Sequence, residues 1–149
     1  MLIHNLLDNQ DGSRCILTYD ESNDWLRATW CGYVNPAEAT RGAETYLAKV
    51  QDFPCAFLLN DNTELQGPWF DSVDWLGRVW LPHAQRLGLR YLAHVVQADT
   101  HVDILTAPPA YPLAHSLDLQ LFHVVAEAEE WLRSCQQTHK QGVVNRKNP

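Results

Sequence analysis

Basic residues are scarce in this chain, and their scarcity excludes one class of function. The 149 residues include 11 Lys and Arg against 18 Asp and Glu, a net charge of −7. Because Lys140, Arg146 and Lys147 lie near the C-terminus, the residues up to 139 keep 8 basic and 18 acidic side chains, a net charge of −10. A nucleic-acid groove needs a basic stripe that neutralises phosphates, and none is present. We therefore expect no nucleic-acid partner.

Long apolar runs are also missing. No run approaches the roughly 20 residues that a membrane-spanning helix needs. The opening residues, Met-Leu-Ile-His-Asn-Leu-Leu-Asp, lack the basic region and the long apolar core of a signal peptide. These absences predict a cytoplasmic protein with no integral membrane segment.

The spacings that mark metal centres and nucleophiles are lacking as well. The seven histidines form no HxH or HExxH pair, no glycine-rich phosphate cradle is found, and the four cysteines contain no CxxC pair. We interpret the cysteines as small buried hydrophobes in a reducing compartment. We expect no catalytic residue, no metal and no cofactor. One alternative stays open, a nucleophile that pairs with a residue distant in sequence, for example Cys55 or Ser116 with His94.

The composition is that of a globular protein. Hydrophobic residues make up 46% of the chain and charged residues 19%, and 149 residues can bury one core without disulfide or metal staples. The turn signal Asp11-Gly12 ends a flexible lead-in over residues 1–12. The polar, basic composition of residues 138–149 predicts a disordered tail. The remaining residues, 13–137, are predicted to form a single α/β domain.

Hydrophobic patterning predicts five strands in this domain. Two alternating segments joined by a polar link indicate a β-hairpin, and Asn35-Pro36 with Glu38 indicates a capped helix that runs to about Val50. The strands are expected at Arg14–Asp20, Trp25–Cys31, Cys55–Leu59, Tyr91–Val96 and Leu119–Val125, and further helices begin at Asp71 and Ala126. The order predicts one mixed sheet, antiparallel at the hairpin and parallel in the βαβ units, with helices mainly on one face.

This arrangement is similar to a known family. A hairpin followed by a helix, a strand ending in Asp61, an Asp71-Ser72 pair opening the next helix, Gly88 before the next strand, and a terminal helix with Trp131-Leu132 all resemble the SpoIIAA-like group of STAS domains. These are small α/β domains of anti-sigma-factor antagonists and transporter tails. The resemblance covers roughly residues 13–136.

The resemblance implies a regulatory site at Ser72. In the antagonist branch the serine of the Asp-Ser pair is phosphorylated by a partner kinase, and Ser72 is the matching position. The free amides and the dipole of a helix N-terminus favour a phosphate there. The alternative is that Asp71 caps the helix and Ser72 is an ordinary residue of its first turn.

Acidic residues near the same strand ends leave an enzyme alternative open. Asp61, Glu64, Asp71 and Asp74 are carboxylates of the kind that bind a hard cation such as magnesium. A cation at the edge formed by Asp61 and Asp71 would support metal-assisted phosphoryl transfer or hydrolysis. The same residues also suit an acidic loop that is solvated at the surface.

The helix predicted from Asp71 has two apolar faces. At 100° per residue one face is the core face, made of Val73, Leu76, Trp80, Ala84 and Leu87. Trp75 and Val79 lie on the other side, Trp69 and Phe70 extend this surface, and Pro82 is expected to kink the helix. Exposed aromatic patches are typical of interfaces and ligand grooves. Alternatively, the segment 100–116 covers Trp75.

The sequence therefore predicts a non-enzymatic STAS-like binding or regulatory module. Its helix from Asp71 is expected to present Trp69, Phe70, Trp75 and Val79 to a protein partner, a second copy of the chain, or a small apolar ligand. The resemblance also implies a carrier of lipid or another apolar ligand, held in a cavity between the sheet and a helix. The magnesium-assisted enzyme is the third alternative.

Overall fold

The computed structural model describes residues 1–70, 74–98 and 117–147, with side chains as far as residue 142. Six strands and three α-helices make up this part of the chain. The strands are β1 (Leu2–Asp8), β2 (Arg14–Asp20), β3 (Trp25–Tyr33), β4 (Phe57–Gln66), β5 (Tyr91–Val95) and β6 (Asp118–Phe122). The helices are α1 (Pro36–Val50), α2 (Leu81–Arg86), which directly follows a π-helical turn at Leu76–Trp80, and α3 (Val125–Lys147).

All six strands form one mixed sheet in the order β1-β2-β3-β4-β5-β6. Neighbouring strands are antiparallel from β1 to β3 and parallel from β3 to β6. The α/β class and the mixed sheet are therefore as predicted, but the predicted number of five strands is wrong. The additional strand, which was not predicted, is β1. The N-terminal residues therefore do not form the flexible lead-in that was expected over 1–12.

Irregular pairing explains why β1 is hard to recognise in the sequence. Its register against β2 shifts between Leu2 and His4 and again between Asn5 and Leu7. A bulge breaks the alternation of inward and outward side chains, and Leu6 and Leu7 are consequently both buried. A period of two, which is the sequence signal for a strand, is therefore absent from this segment.

Helices cover both faces of the sheet, which corrects the expectation that they lie mainly on one. The connections from β3 to β4 and from β4 to β5 step in the same direction along the sheet, and right-handed crossovers therefore place α1 and α2 on the same face. The helix α3 follows the last strand and does not connect two strands, so the handedness of crossovers does not determine the face on which it lies. It packs on the opposite face through Ala128, Leu132 and Cys135.

The predicted N-terminal cap of α1 is confirmed. The Asn35 side chain accepts a hydrogen bond from the Glu38 backbone N–H, and the Glu38 carboxylate accepts one from the Asn35 N–H, at 2.9 and 3.1 Å. One face of this helix is apolar and buried, and its members are Ala39, Ala43, Tyr46, Leu47 and Val50. The helix is thus fixed at its start and along one side.

Beside Pro82, where a kink was predicted, the helix contains a wider turn. The Leu81 N–H donates to the Leu76 carbonyl, which is the i to i+5 pattern of a π-helix. Pro82 is the second residue of α2 and directly follows the π-helical turn. The predicted core residues Leu76, Trp80 and Ala84 are buried. The predicted helix start, residues 71–73, lies outside the described residues.

The last helix extends to Lys147, so most of the segment 138–149 is helical rather than the disordered tail that was predicted. Polar composition was misleading there, because Gln, Lys and Arg are good helix formers. None of the helices in the described part of the chain is long and apolar enough to cross a membrane.

Candidate functional site

A cavity of about 50 Å³ lies between the sheet and the layer formed by α1, the π-helical turn and α2. We call it the sheet–helix cavity. Most of its lining is apolar or aromatic, and the polar side chains are few. The described lining residues are Leu6, Ala28, Trp30, Gly42, Ala43, Tyr46, Leu58, Asn60, Trp69, Phe70, Leu76, Trp80, Leu81, Leu92, His94 and Leu119.

Small residues of α1 leave the space on the helix side. A Cβ atom on Gly42 would lie 2.7 Å from Cη2 of Trp30, so glycine allows this ring to lie directly against the helix. The next residue, Ala43, also lines the cavity, and its carbonyl accepts a hydrogen bond of 3.0 Å from the Trp80 indole N–H. The cavity wall formed by Trp30 and Trp80 is thereby fixed against one turn of α1.

A tight turn after β4 brings Trp69 into the same space. Gly67 has φ +89°, and Trp69 itself has φ 58°, a left-handed conformation that a bulky side chain rarely adopts. The Trp69 N–H donates to the Val34 carbonyl at 2.9 Å, which holds the turn against the end of β3. Strained backbone of this kind costs about 1–3 kcal/mol and is concentrated at functional sites. Here it turns an indole ring inward until only 5% of the residue is exposed.

Aromatic rings surround Trp69 on several sides. It stacks on His94 with 5.6 Å between ring centroids and 13° between planes, and it meets the edges of Trp30 and Phe70 at 5.6 and 4.9 Å. Such contacts contribute about 0.5–1.5 kcal/mol each beyond burial. The Trp69 ring is therefore held in one position.

A row of buried polar groups crosses the floor of the cavity on three adjacent strands. The Trp30 indole N–H donates to Asn60 Oδ1 at 2.9 Å, and Asn60 Nδ2 lies 3.0 Å from both Asn62 Oδ1 and His94 Nδ1. The indole can only donate, which fixes the orientation of the Asn60 amide. The amide nitrogen then faces His94 Nδ1, which joins the imidazole to the row.

Two buried donors have no hydrogen-bond partner among the described residues. They are Trp69 Nε1 and Asn62 Nδ2. An unsatisfied buried donor costs about 1–3 kcal/mol, and such groups are rare in folded proteins. Trp69 is in the cavity lining, and its indole nitrogen is enclosed by the surrounding protein.

The four residues predicted to form an exposed apolar surface fall in different environments. Trp69 and Phe70 are buried in the cavity wall, which corrects the expectation that they extend an exposed patch. Trp75 is half-buried and stacks on Phe70 at 5.8 Å, and Val79 is 47% exposed. The reason is the turn after Gly67, which folds the two rings inward instead of along the helix. The segment 100–116, expected as a cover for Trp75, lies outside the described residues.

Asp61 was expected at the end of a strand, but β4 continues to Gln66 and buries it. Its Oδ2 pairs with Arg27 at 2.6 Å, and its Oδ1 accepts from Thr63 N and Oγ1 at 2.9 and 2.7 Å. Burial acts to raise the pKa of Asp61, but the bonds from Thr63 and Arg27 outweigh it and leave the pKa lowered. Asp61 is therefore a charged structural group whose oxygens are already bonded.

The other residues of the predicted acidic cluster do not form a metal site with Asp61 in the described part of the chain. Glu64 and Asp74 are exposed, Asp74 pairs with Arg78 at 3.0 Å, and Asp71 and Ser72 lie outside the described residues. No group of three or more metal-ligating side chains is found in the part of the chain that the structure describes.

The suggested pair of Cys55 with His94 is not supported. Cys55 precedes β4, whereas His94 lies beside Asn60 on the neighbouring strand, five positions further along than Cys55, which corresponds to about 16 Å of strand. Burial raises the pKa of the Cys55 thiol, which opposes formation of a nucleophilic thiolate. Ser116, the other suggested partner, lies outside the described residues. All four cysteines are free thiols.

Sequence reasoning missed the polar floor of the cavity. The predicted strand Cys55–Leu59 stops before Asn60, and His94 falls inside the predicted strand Tyr91–Val96. The structure buries His94 within β5. The available signal was the parallel register, which places His94 directly opposite Asn60 and Asn60 opposite Ala28.

Comparison of the chain with protein-family models, curated proteins and solved structures gives no match.

Proposed function

We propose that this protein is a non-enzymatic binding module that holds a small, mainly apolar ligand in the sheet–helix cavity. The observation that carries the proposal is the cavity itself, an apolar space of about 50 Å³ with a few buried polar groups in its wall. Ligand sites are commonly concave and mostly apolar, with a small number of polar groups that fix orientation. Enclosed apolar cavities of about 150 Å³ can stay dry and take up benzene or xenon.

The expected affinity follows from the apolar area that a ligand would bury. A single aromatic ring that buries about 150 Å² at about 25 cal/mol per Å² gains about 4 kcal/mol, which corresponds to a dissociation constant of about 1 mM. A natural ligand with further contacts would bind more tightly. Probe molecules should therefore be used near millimolar concentration.

A titration with cumene, followed by ¹H–¹⁵N NMR, tests the proposal. Cumene has only apolar atoms and consists of one benzene ring with an isopropyl group. We expect saturable shifts at the amides of Gly42 and Ala43. The variant Ala43→Leu fills the cavity and should abolish these shifts. Ala128→Leu is the matched control, because Ala128 is a buried helical alanine on the opposite face of the sheet. Shifts that are absent, or that persist unchanged in Ala43→Leu, would reject the proposal.

The π-helical turn supplies a second candidate, a regulatory contact with a protein partner. Leu76 and Trp80 line the cavity, whereas Val79 of the same turn is 47% exposed and Trp75 is half-buried beside it. A partner or a second copy that contacts Val79 would therefore touch the same turn as the ligand. This fits the STAS-like resemblance, in which Ser72 is a phosphorylation site. Sedimentation of wild type and Val79→Ser tests the homodimer. If two copies associate through Val79, the measured mass of wild type should rise with concentration, and Val79→Ser should reduce that rise.

A further inference from the structure

We propose that the outer edge of β6 is an interface at which two copies of this chain pair their sheets across a two-fold axis. This interface is separate from the exposed turn around Val79, and it does not depend on a ligand in the sheet–helix cavity. Three observations carry the proposal: the direction of the backbone groups of β6, an exposed leucine on this strand, and a strand sequence that is complementary to itself.

Strands β1 and β6 are the two edges of the sheet. An edge strand carries N–H and C=O groups that can pair with another chain, and proteins usually block such edges with bulges, proline or lysine. The pairing of β1 with β2 contains two register shifts, whereas β6 pairs with β5 in one uninterrupted register and contains neither proline nor lysine. Of the two edges in the described part of the chain, β6 is therefore the one that suits a further strand.

The backbone groups of β6 alternate between the two sides of the strand. The Asp118 N–H donates to the residue just before β5 at 2.8 Å, and the Phe122 carbonyl accepts from the residue just after β5 at 2.9 Å. In a parallel ladder the two backbone groups of one residue point to the same side, and the side changes at every residue. Asp118, Gln120 and Phe122 therefore bond towards β5. The N–H and C=O groups of Leu119 and Leu121 point away from the sheet.

The side chains make this edge apolar on one face of the sheet. Leu119 lines the sheet–helix cavity, and Leu121, two positions further along the same face, is 41% exposed. Phe122 points to the other face, where its ring lies 5.7 Å from that of Trp131 in α3. A second strand beside β6 would bury Leu121 and would lie next to one wall of the cavity.

A second copy fits this edge because β6 is symmetric about Gln120. A two-fold axis perpendicular to the sheet makes the two β6 strands antiparallel and keeps their corresponding faces on the same side. With the axis at Gln120, Leu119 lies opposite Leu121 of the second copy, and each such pair exchanges two backbone hydrogen bonds. The four leucines then form cross-strand pairs on one face. The one charged residue of the strand, Asp118, lies opposite Phe122 of the second copy, so no like charges meet.

Sedimentation of the full chain tests the association. An interface of one short strand is small, so protein concentrations from about 10 µM to about 1 mM should be covered. We expect the mass of wild type to rise with concentration towards that of a dimer. Leu121→Lys places a charge between the paired strands and should weaken association at least about tenfold. Val79→Lys is the matched control, because it adds the same charge at a residue of similar exposure, 47%, and should leave association unchanged.

Amide hydrogen exchange tests which backbone groups pair. The N–H groups of Leu119 and Leu121 should become protected as the protein concentration rises, because they are bonded only in the dimer. The N–H of Gln120 bonds towards β5 and should exchange at the same rate at every concentration. This alternation distinguishes strand pairing from a contact of side chains alone.

An engineered disulfide tests the register. At the axis, Gln120 faces itself in a non-hydrogen-bonded pair, where the Cα atoms are about 4.5 Å apart and within the range of a disulfide. Gln120→Cys should therefore give a covalent dimer under mild oxidation. His123→Cys is the control, because this residue is also exposed, but its two copies would lie roughly 20 Å apart along the strands. Wild type under the same oxidation reports any bridge through the four native cysteines.

The outcomes are distinct. A wild type that stays monomeric overturns the proposal, even if it binds an unrelated peptide at this edge, and so does a dimer that Val79→Lys weakens as much as Leu121→Lys. Protection of the Leu119 and Leu121 amides that does not depend on concentration would show that the edge is covered within one chain, which also contradicts it. Equal cross-linking of Gln120→Cys and His123→Cys would contradict the register. Should Leu121→Lys fail to fold, the exchange pattern of wild type decides. The cumene titration is independent of all these outcomes.

Discussion

The Trp69 indole lies nearly parallel to the His94 imidazole, with 5.6 Å between the ring centroids and 13° between the planes. One ring comes from a strained turn after β4 and the other from the middle of β5. The contact joins the aromatic wall of the cavity to its polar floor. A ligand that meets Trp69 therefore also lies close to the hydrogen-bonded row of Trp30, Asn60 and His94.

The empty space near α1 should be visible in stability measurements without any ligand. We expect Ala43→Leu to change the free energy of unfolding by less than about 1 kcal/mol, because the added atoms enter the cavity. Ala128→Leu should lose about 1–3 kcal/mol, because overpacking a filled core displaces its neighbours. Chemical denaturation of both variants checks this. Equal losses would mean that the Ala43 side is already filled.

Gly42 should be sensitive to the smallest substitution. Replacing helical glycine with alanine normally stabilises by about 0.8–1 kcal/mol. In Gly42→Ala, however, the new Cβ would lie 2.7 Å from the buried Trp30 ring, so we expect a net loss of about 1–2 kcal/mol. The control is Gly142→Ala in α3, where nothing lies within 4 Å of the new Cβ and a small gain is expected. Thermal unfolding of the pair gives the sign directly, and a gain in Gly42→Ala would refute the close contact.

The bond between Trp30 and Asn60 should show energetic coupling. Asn60→Leu removes the acceptor of Trp30 and both donors of the amide, and we expect it to destabilise the protein by about 3 kcal/mol. A double-mutant cycle with Trp30→Phe isolates the indole bond, with an expected coupling of about 1 kcal/mol. Strictly additive losses in the cycle would show that this bond contributes nothing to stability.

Asp61 should contribute to acid denaturation. Its folded pKa lies below its ordinary value, so its share of the stability is fully present above the unfolded pKa of about 3.9 and is lost as the pH falls through the folded pKa. Asp61→Asn should therefore lower stability at pH 7, by about 2 kcal/mol because Arg27 is partly exposed and can be rehydrated. Urea unfolding across pH 2–7 should give a flatter profile for the variant below about pH 4. An unchanged acid limb would argue against a charged Asp61.

The sequence predicts those parts of the fold in which local chemistry acts alone. The cap at Asn35 and the apolar face of α1 follow from residue types at helical spacing, and the register of the β2–β3 hairpin runs without interruption. The strand β1 was missed because bulges erase its alternation. The continuation of β4 was missed because Asn60, Asp61 and Asn62 are polar residues inside a buried strand. Asn60 contacts Trp30 and His94, and Asp61 pairs with Arg27, all distant in sequence.

The candidate site was harder to predict for a different reason. A cavity is the space that several elements leave between them, and no residue pattern encodes it. Trp69, which was predicted as a binding residue on the surface, is buried and lines this space. Its inward direction depends on the left-handed backbone after Gly67, which a propensity for helix or strand does not reveal.

The structure of a crystal soaked with cumene tests the central claim most directly. The account predicts electron density for one ring in the sheet–helix cavity between Ala43 and Trp69. A cavity without density, or a ring bound only at the exposed surface around Val79, would contradict it.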